Sequence, residues 1–235
     1  MSCPMKRNDL LMEFSHLFFP AVCMVCGETL IQSEECICLR CVYKLPRTHN
    51  FKYPDNAAEQ LMAGRIPFER IASFCVYAKK GMLPPLIHQL KYHQHKEVGV
   101  LLGRIFGEDL LGSDFLKPID VIVPVPLHPK KERIRGFNQA EMIARGLSEA
   151  TSLPLLPGIL IRAVFNPTQT KRTKTQRWEN VKHIFRVNDL DSFADKHLLL
   201  VDDVITTGST IEACGVALQQ CHHLKISVAT LGEVF

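Results

Sequence analysis

LLLVDDVITTGST, residues 198–210, joins a greasy run to paired acids and small hydroxyls. Four apolar residues run straight into two adjacent carboxylates, Asp202 and Asp203. Val204 and Ile205 lead on to the small hydroxyl-rich group Thr206, Thr207, Gly208, Ser209 and Thr210. A short continuous apolar run suits a parallel strand buried on both faces. The next segment has helical spacing from about Ser209 to Gln220, so the stretch reads as strand, tight loop, helix.

In open parallel sheets, ligands bind beyond the carboxyl ends of the strands. A tight loop entering a helix points several backbone N–H groups at one spot, and the helix dipole favours an anion there. Thr206, Thr207, Ser209 and Thr210 add hydroxyl donors, and Gly208 lets the backbone come close. The adjacent carboxylates want hydroxyl donors or a cation. A ribose phosphate satisfies both needs, with its 5′-phosphate in the Thr–Thr–Gly loop and its 2′- and 3′-hydroxyls on the acids. A helix cap would account for Ser209 or Thr210 but not for two acids at a strand end. The GK[ST] ending of a nucleotide-binding P-loop and the GxGxxG dinucleotide fingerprint are both missing.

Working outward, strand and helix patterns alternate from residue 71 onward. Strands are expected at 71–77, 119–123, 159–164, 198–201 and 225–231, with helices at 83–93, 98–111, 138–150 and 209–220. Asn138 is the expected N-cap of its helix. This alternation predicts an α/β fold, a parallel sheet flanked by helices. Residues 48–68 hold Pro54, Gly64 and Pro67 with little periodicity and read as a linker. The expected division is 1–47 for an N-terminal helix and a metal-binding unit, 48–70 for the linker, and 71–235 for the α/β domain.

The chain has 235 residues, 46% hydrophobic, with 28 basic against 24 acidic side chains and a net charge of +4. That balance describes an ordinary globular protein and does not by itself call for a nucleic-acid partner. No apolar run reaches the ~20 residues needed to span a bilayer, so no membrane insertion is expected. Lys6 and Arg7 precede an apolar stretch, as in a signal peptide. Glu13 and His16 interrupt that stretch and no small-residue cleavage site follows. Leu10, Leu11, Phe14, Leu17 and Phe18 instead recur at helical spacing. The expected compartment is the cytoplasm.

Five of the nine cysteines fall between Cys23 and Cys41. Cys23, Cys26, Cys38 and Cys41 make a C-x2-C-x11-C-x2-C pattern, two knuckles that can bring four thiolates to a tetrahedral Zn2+. So small a unit buries little core, and a structural metal would supply its folding energy. Disulfides or a redox pair are the alternatives. Cys36 is a fifth thiol; the C-x2-C spacing favours Cys38 over it. Four protein ligands would close the site to catalysis.

VDDVITTGST resembles the ribose-phosphate signature of type I phosphoribosyltransferases. Three further segments fit such a site. PVPLHPKKERIRGFNQA, residues 124–140, follows a parallel strand and offers Lys130, Lys131, Arg133 and Arg135 to a pyrophosphate, although a solvated basic loop would look the same. RAVFNPTQTKRTKTQR, residues 162–177, has five basic residues and no acid, as an active-site lid or a solvated loop would. HQLKYH, residues 88–93, carries Lys91 and Tyr92 on a helix.

The order of these parts, paired CxxC motifs, LKYH, RGFNQ at 135–139, RWENV at 177–181 and the ribose-phosphate motif, resembles the ComF family of bacterial competence and DNA uptake over nearly the whole chain. The resemblance implies a type I phosphoribosyltransferase-like fold with the same four zinc ligands. It also raises Lys91, Arg135, Asn138 and Gln139 as ligand-binding candidates beside Val204 and residues 206–210, with Asp202 and Asp203 as the catalytic pair. The activity it implies is pentosyl transfer from phosphoribosyl pyrophosphate with Mg2+, in a DNA-uptake setting with competence proteins as partners. The alternatives are a single-stranded-DNA-binding accessory protein without turnover, using the basic segments with Phe165 and Trp178, and a regulator that binds the sugar without consuming it.

Overall fold

A computed structural model describes residues 20–162, 184–190 and 193–234. The chain divides into two compact units, Met1–Leu45 and Pro46–Phe235. The helix expected at 10–18 and most of the basic stretch 162–177, with Phe165 and Trp178, lie outside the described residues. No helix among the described residues is long and apolar enough to cross a membrane.

The first unit folds around its cysteines. Val22 bridges Thr29 across a tight turn in which the Gly27 amide donates to the Cys23 carbonyl. Gly27 takes φ +77°, a left-handed conformation that costs glycine little. The second knuckle opens α1 (Leu39–Tyr43), whose first-turn amides meet the Cys38 carbonyl region.

The second unit is built on a four-stranded parallel sheet in the order β1-β6-β5-β2, with β1 Ile71–Val76, β2 Val121–Pro124, β5 His197–Ile205 and β6 Lys225–Glu233. The apolar run of β5 explains its central place. Leu198 and Leu200 join a core with Ile211, Cys214 and Leu218 of α7 (Ser209–Leu218). Leu199 and Val201 alternate to the other face, equally buried, where α6 (Gln139–Thr151) packs. Helices α3 (Leu83–Tyr92) and α4 (Lys96–Leu111) complete that side.

Four expectations change. Strand β5 does not stop before the acids: it runs through Asp202 and Asp203 to Ile205, because Asp202, Val204 and Ile205 keep their register against Thr230, Gly232 and Glu233 of β6. The segment at 160 does form a strand, β3 (Leu160–Arg162), but it pairs antiparallel with β4 (Phe185–Val187) in a separate two-stranded ribbon. The basic loop after β2 contains a helix, α5 (Pro129–Arg135), begun by Pro129 and capped by the His128 ring accepting from the Lys130 amide. The stretch 48–70 carries a 3-10 turn at Asn50–Lys52 and α2 (Ala57–Met62), whose Asn56 and Glu59 form a reciprocal capping box.

Candidate functional site

The carboxyl end of β5 gathers most of the expected residues. Asp202 and Asp203 are both buried, 7% and 6% exposed. Asp202 Oδ1 accepts from the Asp203 amide at 2.8 Å, and Asp203 Oδ1 accepts from the Val204 amide at 2.7 Å. Val204 therefore spends its amide on the acid and offers none to a ligand. Burial pushes the Asp202 carboxyl up to about 7, and the neighbouring charge of Asp203 adds to that rise.

Asp203 has a partner from far along the chain. Its Oδ2 is ion-paired with the Lys91 ammonium at 2.5 Å and accepts no hydrogen bond of proper geometry among the described residues. Lys91 lies in the last turn of α3, where the helix dipole favours a cation. Beside this pair opens a cavity of about 270 Å³ lined by Lys91, Tyr92, Gln94, Lys131, Ile134 and Arg135. The Arg135 guanidinium donates to Gln139 Oε1 and stands 5.8 Å from the Tyr92 ring centre. Burial lowers its hold on the proton, while the charge of Asp203 works against that loss. So Lys91, Arg135 and Gln139 meet at one place beside Asp203.

Asn138 does not join them as a ligand group. Its Nδ2 donates to the Val125 carbonyl at 3.0 Å and its Oδ1 accepts from the Ala140 amide at 3.1 Å. Both ends of the side chain tie the exit of β2 to the start of α6. Asn138 positions the cavity wall rather than lining it.

The loop 206–210 leaves Thr206, Thr207, Ser209 and Thr210 exposed and Gly208 buried. Thr207 Oγ1 and Ser209 Oγ share a hydrogen bond of 3.0 Å. No side chain caps the start of α7. Its first amides thus have no intrahelical acceptor and remain to meet an anion. Gly208 sits at φ +74°, and a Cβ there would collide with Met62 Sδ. The glycine is therefore required by the protein beneath the loop as well as by any ligand above it.

Nothing in the sequence pattern singles out Arg65. Its Nη1 donates to the Thr207 carbonyl at 2.6 Å and pairs with Glu212 at 3.2 Å. In a trans peptide the C=O and the following N–H point in opposite directions. Holding the Thr207 carbonyl therefore turns the Gly208 amide to the far side of the loop, away from Arg65.

In the first unit the sulfurs of Cys23, Cys26, Cys38 and Cys41 all lie within 4.8 Å of one another. Cys26 Sγ and Cys38 Sγ are 3.7 Å apart, and none of the four forms a disulfide. A tetrahedron with 2.3 Å metal–sulfur bonds has sulfurs ~3.8 Å apart, so the cluster fits a tetrahedral metal. Burial opposes ionisation of Cys23, but amide hydrogen bonds, that of Cys38 foremost, bring it down to about 6. Burial and the neighbouring thiols push Cys41 up to about 12. Cys36 is buried and stands outside this cluster.

Comparison with known proteins finds relatives over much of the chain. A family model described as a phosphoribosyl transferase domain matches residues 134–233. The DNA utilization protein YhgH of Escherichia coli (strain K12) is 30% identical over 198 residues, covering 81% of this chain and 80% of its own. Competence protein F of Haemophilus influenzae is 31% identical over 147 residues, covering 61% of this chain and 64% of its own. Competence protein ComFC of Bacillus subtilis is 35% identical over 112 residues, covering 47% of this chain and 43% of its own.

Proposed function

The chain belongs to the ComF family of phosphoribosyltransferase-like proteins, and from that premise we propose that it binds phosphoribosyl pyrophosphate at the carboxyl end of β5. One observation carries the reading. Two buried acids lie near the end of a parallel strand, two residues before an exposed hydroxyl-rich loop that opens a helix with no side-chain cap among the described residues. The loop takes the 5-phosphate. Asp202 and Asp203 take the ribose hydroxyls. Arg135 and Lys131 face the pyrophosphate from α5. Magnesium would supply charge neutralisation for the pyrophosphate, and Asp202 and Asp203 are the acids placed to hold it or its waters. Displacement at C1′ by a nitrogen nucleophile needs positioning and electrostatic stabilisation from these residues and no covalent group.

The first unit is a structural zinc module held by Cys23, Cys26, Cys38 and Cys41. The setting is DNA uptake, as the names of the relatives from Escherichia coli and Haemophilus influenzae suggest. We place the protein in the cytoplasm on the same grounds. The second reading is a single-stranded-DNA-binding accessory protein without turnover, favoured by the names of those relatives and by the cationic cavity.

Calorimetric titration with phosphoribosyl pyrophosphate and Mg2+, paired with an assay of pyrophosphate release over candidate nitrogenous acceptors, separates the readings. Heat with release supports the transferase, and heat without release supports a sensor. Steeply salt-dependent single-stranded DNA binding that survives Asp202→Asn and Asp203→Asn points to a separate nucleic-acid surface. No heat and no release removes the sugar-phosphate reading.

A further inference from the structure

This inference rests on the ribose-phosphate reading and deepens it. We propose that Lys91 makes the site selective for a sugar bearing a second anion. Its ammonium closes Asp203 to a plain sugar phosphate and is drawn away only by a ligand that places an anion in the cationic cavity.

Both oxygens of Asp203 are engaged. Oδ1 accepts from the Val204 amide, and Oδ2 holds Lys91 Nζ at 2.5 Å. A ribose hydroxyl that is to donate to this carboxylate has to displace the ammonium. The lysine can move, since it sits on a flexible four-carbon stem and its side chain is 25% exposed against 8% for Asp203.

It also has a second place to go. Lys91 lines the cavity next to the pair, together with Lys131 and Arg135, and none of the described lining residues is acidic. An empty cavity repels a third cation, so the ammonium stays on Asp203. A cavity holding a diphosphate attracts it. The two arrangements differ by the charge in the cavity, so only a ligand that supplies that charge shifts the balance. Ribose 5-phosphate puts its single anion on the loop 206–210 and offers nothing to draw Lys91 off. Phosphoribosyl pyrophosphate supplies the missing anion at C1.

Calorimetry with ribose 5-phosphate and with phosphoribosyl pyrophosphate, each with Mg2+, tests this on the full chain and on Lys91→Met. The expected result is a split. The variant binds ribose 5-phosphate at least threefold more tightly than the natural protein and phosphoribosyl pyrophosphate at least tenfold more weakly. Lys91→Arg, which keeps the charge, is expected to retain the natural order of the two ligands and guards against a misfolded methionine variant. Parallel weakening of both ligands, no change in either, or loss of the natural order in Lys91→Arg overturns the proposal. Absence of heat from both ligands with the natural protein overturns the ribose-phosphate reading, and the selectivity with it.

Discussion

The four-sulfur cluster and the acidic rim of the sheet face one physical problem and meet it differently. Each crowds groups that become anions. In the cluster, four thiols stand at metal-ligand distances, and ionising all of them needs a cation from outside. At the rim, Asp203 already holds Lys91, brought from a distant helix, while Asp202 keeps its proton to about pH 7. With one guanidinium, Arg40 on Cys26, against four thiols, the cluster is left short of positive charge in a way that a bound metal ion would make good. The rim, with a movable internal counter-charge, is the one proposed for a ligand that comes and goes.

The largest expected effect lies in the cluster. A chelator or Cys38→Ser should take the metal from one zinc per chain to none. Amide exchange protection across residues 23–41 should go with it, since structural zinc contributes about 10–16 kcal/mol in small modules. Protection that survives metal loss would break the contrast.

At the rim, Asp203→Asn should weaken phosphoribosyl pyrophosphate binding by about 10- to 100-fold, the cost of a charge-assisted hydrogen bond of roughly 1.5–3 kcal/mol. Asp202→Asn should do the same to binding while stabilising the empty fold, by up to about 4 kcal/mol above pH 7. The sign follows from the shift. The folded carboxyl binds its proton up to about 7, whereas the unfolded one releases it near its ordinary value, so stability falls as pH rises between the two. Chemical denaturation at pH 4.5 and pH 8 should show the variant's advantage growing with pH.

Gly208→Ala should cost about 1–3 kcal/mol, from a strained left-handed backbone and the collision with Met62. In a Met62→Ala background, itself destabilised because Met62 is buried, Gly208→Ala should cost less than in the natural protein, and thermal melts of both single variants and the double measure the difference.

The smallest effect sits at the opposite end of the sheet and has the opposite sign. Burial holds the His197 imidazole below its ordinary value, with Nε2 on the Ser227 hydroxyl at 2.9 Å and a buried Nδ1 that accepts no hydrogen bond among the described residues. Its contribution is present above pH ~6.5 and is lost as acid carries the pH down through the folded value. His197→Gln should flatten that acid-side loss in denaturation curves.

How much of this was legible in the sequence depends on distance along the chain. The apolar run of β5, the Asn138 cap and the paired CxxC knuckles are local patterns, and they hold as read. The Lys91–Asp203 pair and the Arg65 brace under Thr207 join residues far apart in the chain, and no periodicity marks such contacts. The α5 helix was hidden because two prolines and a run of like charges resemble a loop, until Pro129 is placed at a helix start where its missing N–H costs nothing. The antiparallel ribbon was hidden because its partner strand, Phe185–Val187, is only one short turn of alternating side chains. The sequence marks Asp202, Asp203 and Lys91 as separate candidates, but not that the ammonium of Lys91 sits on Asp203.

The most direct measurement is an amide-resolved NMR titration of the natural protein with phosphoribosyl pyrophosphate and Mg2+. The largest shifts are expected at Gly208, Ser209 and Thr210, with accompanying shifts around Lys91 and Arg135. Saturable binding whose shifts leave residues 206–210 untouched would contradict the ribose-phosphate reading.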